Sequence, residues 1–193
     1  GEPWAANEPA IEEGFLPAVK SNLEHLDEGI AVFSDDTRDT IKGSVFYGER
    51  PGYVNGKKGL ERAMQSVVCA WCDGGHEFTP KSPKQIISYT SAHDNYTLWD
   101  KLAITLQKNT DYTIKDEKVL KANKLVAAII FTCKGIPFIQ AGEEFGRTKY
   151  GEDNSYKSAP SINMLDWKRR EDRGTERTIW RSKRLILNIK ENI

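Results

Sequence analysis

Gln85-Ile86-Ile87-Ser88-Tyr89-Thr90-Ser91-Ala92-His93-Asp94-Asn95-Tyr96-Thr97-Leu98-Trp99 runs from a strand-like apolar stretch, through a polar triplet, into an apolar and aromatic stretch. Neighbouring side chains on a strand point to opposite faces, so His93 and Asp94 can serve one ligand only where the strand has already opened into a loop. A helix follows over 97–106, because Leu98, Leu102 and Leu106 recur every fourth position and share a face. Strand, polar loop and helix in that order form the repeating unit of a β/α protein.

The pattern recurs on both sides. Gly29-Ile30-Ala31-Val32-Phe33 is a second apolar run, and it opens onto Ser34-Asp35-Asp36-Thr37-Arg38-Asp39, read as a polar loop. Gly135-Ile136-Pro137-Phe138-Ile139 is a third, opening onto Gln140-Ala141-Gly142-Glu143-Glu144-Phe145-Gly146-Arg147. Between them the spacing predicts a helix over 59–71, with Leu60, Met64, Val67, Val68 and Trp71 on one face. A longer helix over 118–133 carries Val119, Leu120, Leu125, Ala128, Ile129 and Thr132, with Gly135 as its stop. A last helix is predicted over 176–193, with Ile179, Leu185, Ile186 and Ile189.

Strands alternating with longer helices indicate an α/β fold with a parallel sheet. In a (β/α)8 TIM barrel the loops after the strands converge on one face and build the site. The expected site loops are therefore 35–39, 93–95 and 143–147. A whole barrel takes about 250 residues, and this chain supplies three strands and four helices, with a fourth strand implied before Gly1. The expectation is roughly half a barrel, the last four β/α units, truncated on its N-terminal side and forming one domain over residues 1–193.

Composition narrows the function. The chain has 193 residues, 28 basic and 28 acidic side chains and no formal net charge. Without a basic footprint beyond Trp167-Lys168-Arg169-Arg170, a nucleic acid is not an expected partner. No apolar run reaches the roughly 20 residues of a membrane-spanning helix, so no membrane association is expected; the absence of a signal-like segment leaves the compartment unread. Cys69, Cys72 and Cys133 do not form a disulfide framework. The Cys69-Ala70-Trp71-Cys72 spacing suits zinc only with a second ligand pair, of which His76 is the sole nearby candidate. Two thiols near a helix end are the simpler reading. Asp35, Asp36 and Asp39 lack the ligand ladder and glycine of a calcium loop, and neither a metal nor another cofactor is expected.

Gly1-Glu2-Pro3-Trp4, Tyr89-Thr90-Ser91-Ala92-His93-Asp94-Asn95-Tyr96-Thr97-Leu98-Trp99-Asp100 and the stretch from Gly135 to Lys149 resemble, in order, successive signatures of the α-amylase superfamily (glycoside hydrolase family 13). Asn95 after His93-Asp94, the run Asp153-Asn154-Ser155-Tyr156 and the segment Ser161 to Trp167 resemble its type I pullulanases in particular. The resemblance covers nearly the whole chain.

It implies part of a retaining hydrolase that cleaves α-1,6-glucosidic branch linkages in pullulan, starch or glycogen-type α-glucans. In that chemistry an acid protonates the departing oxygen, a carboxylate attacks the anomeric carbon, and the acid then acts as base toward water. The resemblance assigns Glu2 as acid/base and Asp94 as transition-state stabiliser. It assigns His93 to hydrogen bonds with sugar hydroxyls and Trp4 to stacking on a glucose ring, with Asn95, Tyr96, Asn154 and Tyr156 as further substrate contacts; Trp99 is a weaker stacking candidate. Asp94 has a competing reading as the cap of the following helix, and Glu143, Glu144 and Arg147 as an ion-paired loop framework.

The family's nucleophile, an aspartate in a segment like Asp-Gly-Phe-Arg-Phe-Asp, has no counterpart here, so the isolated chain is expected to be inactive. A half barrel exposes the inner face and an edge of its sheet, and such a piece is expected to self-associate unless its N-terminal half covers it. Two alternatives stand beside this reading. One is an isoamylase or glycogen-debranching hydrolase, and the other is a non-catalytic glucan-binding relative.

Overall fold

The computed structural model describes residues 14–169. Glu2, Trp4 and the helix expected over 176–193 lie outside the described residues.

Three short strands, β1 (Val32–Phe33), β2 (Ile86–Ser88) and β3 (Ile136–Pro137), pair in parallel in the order β1-β2-β3. Val32 lies opposite Ile86, and Ile87 lies opposite Ile136. Hydrogen bonds past the strand ends, Ser34 N–H to Ile87 O at 3.0 Å and Phe138 N–H to Ser88 O at 2.9 Å, continue the ladder toward the loops. The register puts Phe33, Tyr89 and Phe138 on one face. Their rings meet edge-on, with centroids 5.2 Å apart for Phe33 and Tyr89 and 5.1 Å for Phe33 and Phe138. Phe33, Ile136 and Phe138 on this face are exposed, whereas Ile86 and Ser88 on the opposite face are buried against helices.

The helices are α1 (Asp35–Lys42), α2 (Glu61–Val68), α3 (Leu98–Leu106), α4 (Glu117–Thr132) and the single turn α5 (Pro160–Asn163). Helix α1 corrects the reading of 34–39 as a loop. The Ser34 hydroxyl accepts the Thr37 N–H at 3.1 Å, and Asp35 and Asp36 in the first turn favour the positive end of the helix. The same Ser-Asp-Asp chemistry suits a turn or a cap, and the structure uses it as a cap.

Helix α2 stops at Val68, short of the predicted 71, because Ala70 and Trp71 both take positive φ, at 52° and 58°. The turn they form swings Trp71 back into the core, where its indole N–H donates to Thr37 Oγ1 at 2.9 Å. Cys69 caps the helix, and Cys69, Cys72 and Cys133 are all free thiols. His76 is turned to Asp73, 2.9 Å away.

Helix α3 follows the predicted face, with Leu98 and Leu102 fully buried and Leu106 packed against the core. Each such leucine contributes about 1.5–3 kcal/mol of burial. Helix α4 buries Val119 and Leu120 as expected, but farther along the buried positions are Ala122, Val126 and Ile130, while Leu125 is exposed. Its Asp116 cap accepts from the N–H groups of Lys118 at 2.8 Å and Val119 at 3.0 Å. Gly135 then lets the chain enter β3 close beside β2. A Cβ there would stand 2.5 Å from Ser88 Oγ.

Candidate active site

Residues at and beyond the ends of β1, β2 and β3 line a cavity of about 250 Å³. Its floor is the aromatic trio Phe33, Tyr89 and Phe138, and its wall includes Arg38 and Lys42 of α1 together with His93, Asp94 and Asn95. The polar triplet therefore lies where its sequence placed it, in a loop beyond a strand end.

His93 and Asp94 face solvent, with side chains 90% and 73% exposed, and His93 Nε2 lies 3.3 Å from Asp94 Oδ2. Asn95 takes the left-handed conformation at φ 60°, one that asparagine tolerates better than most residues and that turns the chain toward α3. Asp94 is not the cap of that helix. Thr97 is, its hydroxyl accepting the Asp100 N–H at 3.1 Å. The competing structural role for Asp94 is thereby removed.

The loop is held from below by its own carbonyls. Gln140 Nε2 donates to Ala92 O at 2.5 Å, Lys149 Nζ to His93 O at 3.3 Å, and Lys42 Nζ to Tyr96 O at 3.3 Å. The Ser91 hydroxyl bonds the carboxyl of Glu143, which also accepts from Thr90 Oγ1 at 3.3 Å. With its backbone pinned at successive residues, the loop can present two polar side chains outward without collapsing onto the sheet.

Arg38 and Asp39, left unassigned from sequence, brace the cavity wall. The Arg38 guanidinium donates to Asp39 at 2.7 Å, Asp35 at 2.9 Å and the Tyr89 hydroxyl at 2.8 Å, and that hydroxyl donates to Asp35 at 2.5 Å. Burial pushes the Tyr89 phenol above its usual range, and its bond to Asp35 adds to the shift.

Several expectations fail here. Trp99 is 1% exposed and packed so closely under Gly146 that a Cβ there would stand 2.6 Å from its ring, so it cannot stack on a sugar. Among the described residues, the loop after β3 forms no ion-paired framework. Glu143 is buried beneath Ser91, Glu144 accepts its neighbour Gly142 N–H at 3.0 Å, and Arg147 donates to the carbonyls of Ala141 at 3.2 Å and Asn163 at 2.6 Å. Residues 35–39 contribute through the start of a helix rather than a loop.

The remaining predicted contacts are spread out. Tyr96 turns away from the cavity toward Gly48, where burial and then Asp153 and Glu49 raise its phenol. Asn154 and Tyr156 lie in the loop before α5, outside the cavity lining, and the Tyr156 ring is exposed beneath Lys157. That loop nonetheless joins the site through Lys149, whose Nζ also donates to Ser155 Oγ at 3.0 Å.

Sequence reasoning missed Lys42, Lys149 and Gln140 altogether. Lys42, Gln140 and Lys149 stand in polar or glycine-containing surroundings that read as surface, and only the distant carbonyls they serve reveal their role. Among the described residues, no group of three or more histidine, cysteine, aspartate or glutamate side chains is placed to hold a metal.

No family model matches the chain. It is 37% identical to the pullulanase of Bacillus subtilis (strain 168) over 173 residues, 89% of this chain and 23% of that protein. It is 35% identical to the chloroplastic pullulanase 1 of Arabidopsis thaliana over 209 aligned positions, covering 86% of this chain and 21% of that one. Among solved structures, the type I pullulanase of Bacillus subtilis str. 168 complexed with maltose superposes with a TM-score of 0.79 at 34% identity, over 88% of this chain and 23% of its own. The pullulanase of Paenibacillus barengoltzii in complex with maltohexaose and α-cyclodextrin gives 0.77 at 36% identity, over 91% and 26%. A glycogen operon protein GlgX homolog of Mycobacterium tuberculosis is 24% identical over 86% of this chain. This chain, an α/β segment that spans about a quarter or less of the length of these pullulanases, is homologous to a partial region of them.

Proposed function

We propose that this chain is the C-terminal half of the catalytic (β/α)8 barrel of a retaining hydrolase that cleaves α-1,6 branch linkages in α-glucans. The observation that carries the reading is the placement of His93 and Asp94. Both stand outward on a cavity at the ends of three parallel strands, in a chain whose homologues are pullulanases.

Asp94 stabilises the oxocarbenium-like transition state, where a fixed negative charge beside developing positive charge lowers the barrier. His93 donates to sugar hydroxyls next to the reacting bond, and Asn95 lies beside it on the same wall. Glu2 is the acid/base and Trp4 a stacking platform. Tyr156 and Asn154 contact the glucan farther from the reacting bond, and Tyr96 backs the loop. The nucleophile belongs to the other half of the barrel, and the isolated chain is inactive.

The exposed face of Phe33, Ile136 and Phe138, and a cavity of about 430 Å³ beside β1, fit a sheet that continues into further strands. Without them, the chain self-associates through that face. The more distant GlgX match supports a glycogen-debranching specificity as the second reading.

Activity on pullulan and on glycogen separates the two readings in the complete parent enzyme. Glu2→Gln in that enzyme is expected to remove most activity, and an unchanged rate would show that Glu2 is not the acid. Pullulan hydrolysis by the purified 193-residue chain would overturn its inactivity, and a compact, cooperative monomer in sedimentation would overturn its self-association.

A further inference from the structure

We infer that Lys149 is a positioning residue, a tie that fixes His93 and Asp94 relative to the loop carrying Asn154 and Tyr156. The inference rests on the roles proposed for those side chains.

Lys149 is 1% exposed, and its ammonium is spent on two neutral oxygens. One is the His93 carbonyl at 3.3 Å, and the other is Ser155 Oγ at 3.0 Å. An ammonium has three donors and no acceptor, so it can hold two oxygens from different loops at once. A buried charge stays stable only where such oxygens surround it.

Both ends of the tie are themselves anchored by hydrogen bonds. The Ser155 hydroxyl donates to Asn163 Oδ1 at 2.8 Å, Asn163 Nδ2 returns a bond to Ser155 O at 2.7 Å, and Arg147 holds Asn163 O at 2.6 Å. On the near side, the Lys149 N–H donates to Asp100 Oδ2 at 2.8 Å, which locks its backbone to α3. The path from Tyr156 to His93 thus runs through one ammonium, and Asp94 is the next residue along.

Removing that ammonium releases the carbonyl immediately before Asp94 without touching any group that meets substrate. Displacements on the order of 1 Å at a reacting centre cost about 10²-fold in rate. In the complete parent enzyme, Lys149→Met is expected to lower kcat on pullulan by about 10–100-fold while KM changes by less than about threefold. Lys149→Arg, which keeps the charge and the donors, is expected to restore most of kcat. Lys149→Gln, a polar variant whose shorter side chain cannot reach both oxygens, is expected to lower kcat in the same sense. The exposed Lys121→Met serves as the control, with kcat unchanged.

An unchanged kcat in folded Lys149→Met or Lys149→Gln overturns the inference. So does a loss that Lys149→Arg fails to restore, since a volume or packing role would behave that way. Failure of the functional reading is distinguishable: the unmodified parent would then be inactive on pullulan and glycogen, or Asp94→Asn would match it in rate.

Discussion

The tip of the 91–96 loop and the ground beneath it treat charge in opposite ways. His93 and Asp94 stand in solvent and touch mainly each other. Lys42, Glu143, Lys149 and Asp100 lie below, all buried, and bind backbone or hydroxyl groups of the loops above. Exposed charge costs little to keep and is free to meet a ligand, whereas buried charge is expensive and persists only with partners. The comparison teaches that the groups assigned to chemistry make few ties to the fold, whereas the groups beneath them are bound into it through hydrogen bonds to the loops they hold.

Asp94→Asn is the sharpest test. In the complete parent enzyme it is expected to lower kcat by about 10²–10⁴-fold, while unfolding of this chain shifts by no more than about 0.5 kcal/mol. A large stability loss would mean that the tip is structural after all.

Glu143→Leu reverses the pattern. It strands the Ser91 and Thr90 hydroxyls in a buried site, and urea denaturation of the chain should register a loss of about 1–3 kcal/mol. Thr97→Ala removes the cap at the loop's end and should cost about 1 kcal/mol. If Asp94→Ala costs more than Thr97→Ala, the capping role has been given to the wrong residue.

A further expected effect is in pH. Burial pushes the Glu143 carboxyl up to about 7, with Ser91 and Lys42 opposing, and pulls the Lys42 ammonium down to about 7, with Glu143 opposing. At Glu143 the folded chain binds more protons than the unfolded chain between pH 4.5 and about 7. Its contribution is full below that window and lost as pH rises through it. At Lys42 the folded chain binds fewer protons between about 7 and 10.5. Its contribution is full above that window and lost as pH falls through it. Together these two groups stabilise least near neutrality. Urea midpoints of the chain should therefore fall from pH 5 to pH 7, and the fall should vanish in Glu143→Gln. An equal fall in that variant would place its source elsewhere.

The same contrast marks what could be read without coordinates. Leu98, Leu102 and Leu106 announced α3, because apolar period and burial agree there. The place of His93 and Asp94, in a loop beyond a strand end, was legible because the apolar run before them stops at Tyr89 and the helical period resumes only at Leu98. Ser34-Asp35-Asp36 was misread because a capping serine and a turn serine look alike. Trp71 kept the helical period while its backbone had already turned to positive φ, a change that leaves no mark on hydropathy. Leu125 misled in the other direction, as an apolar residue one step off the buried face. Lys42, Gln140 and Lys149 were out of reach, since the loop carbonyls they bind lie 48 or more positions away in sequence.

Lys101 shows where this leads. Three carbonyls, those of Ser44 at 2.8 Å, Tyr47 at 2.6 Å and Gly48 at 2.8 Å, converge on its Nζ, and burial pulls the ammonium down to about 8. Convergent carbonyls are the kind of cradle that a dissolved cation would otherwise fill. Here the cation is tethered to α3 by its own side chain, at an effective concentration that no buffer can dilute. One side chain of α3 thus closes the turn from Ser44 to Gly48 with a cation that the chain itself supplies.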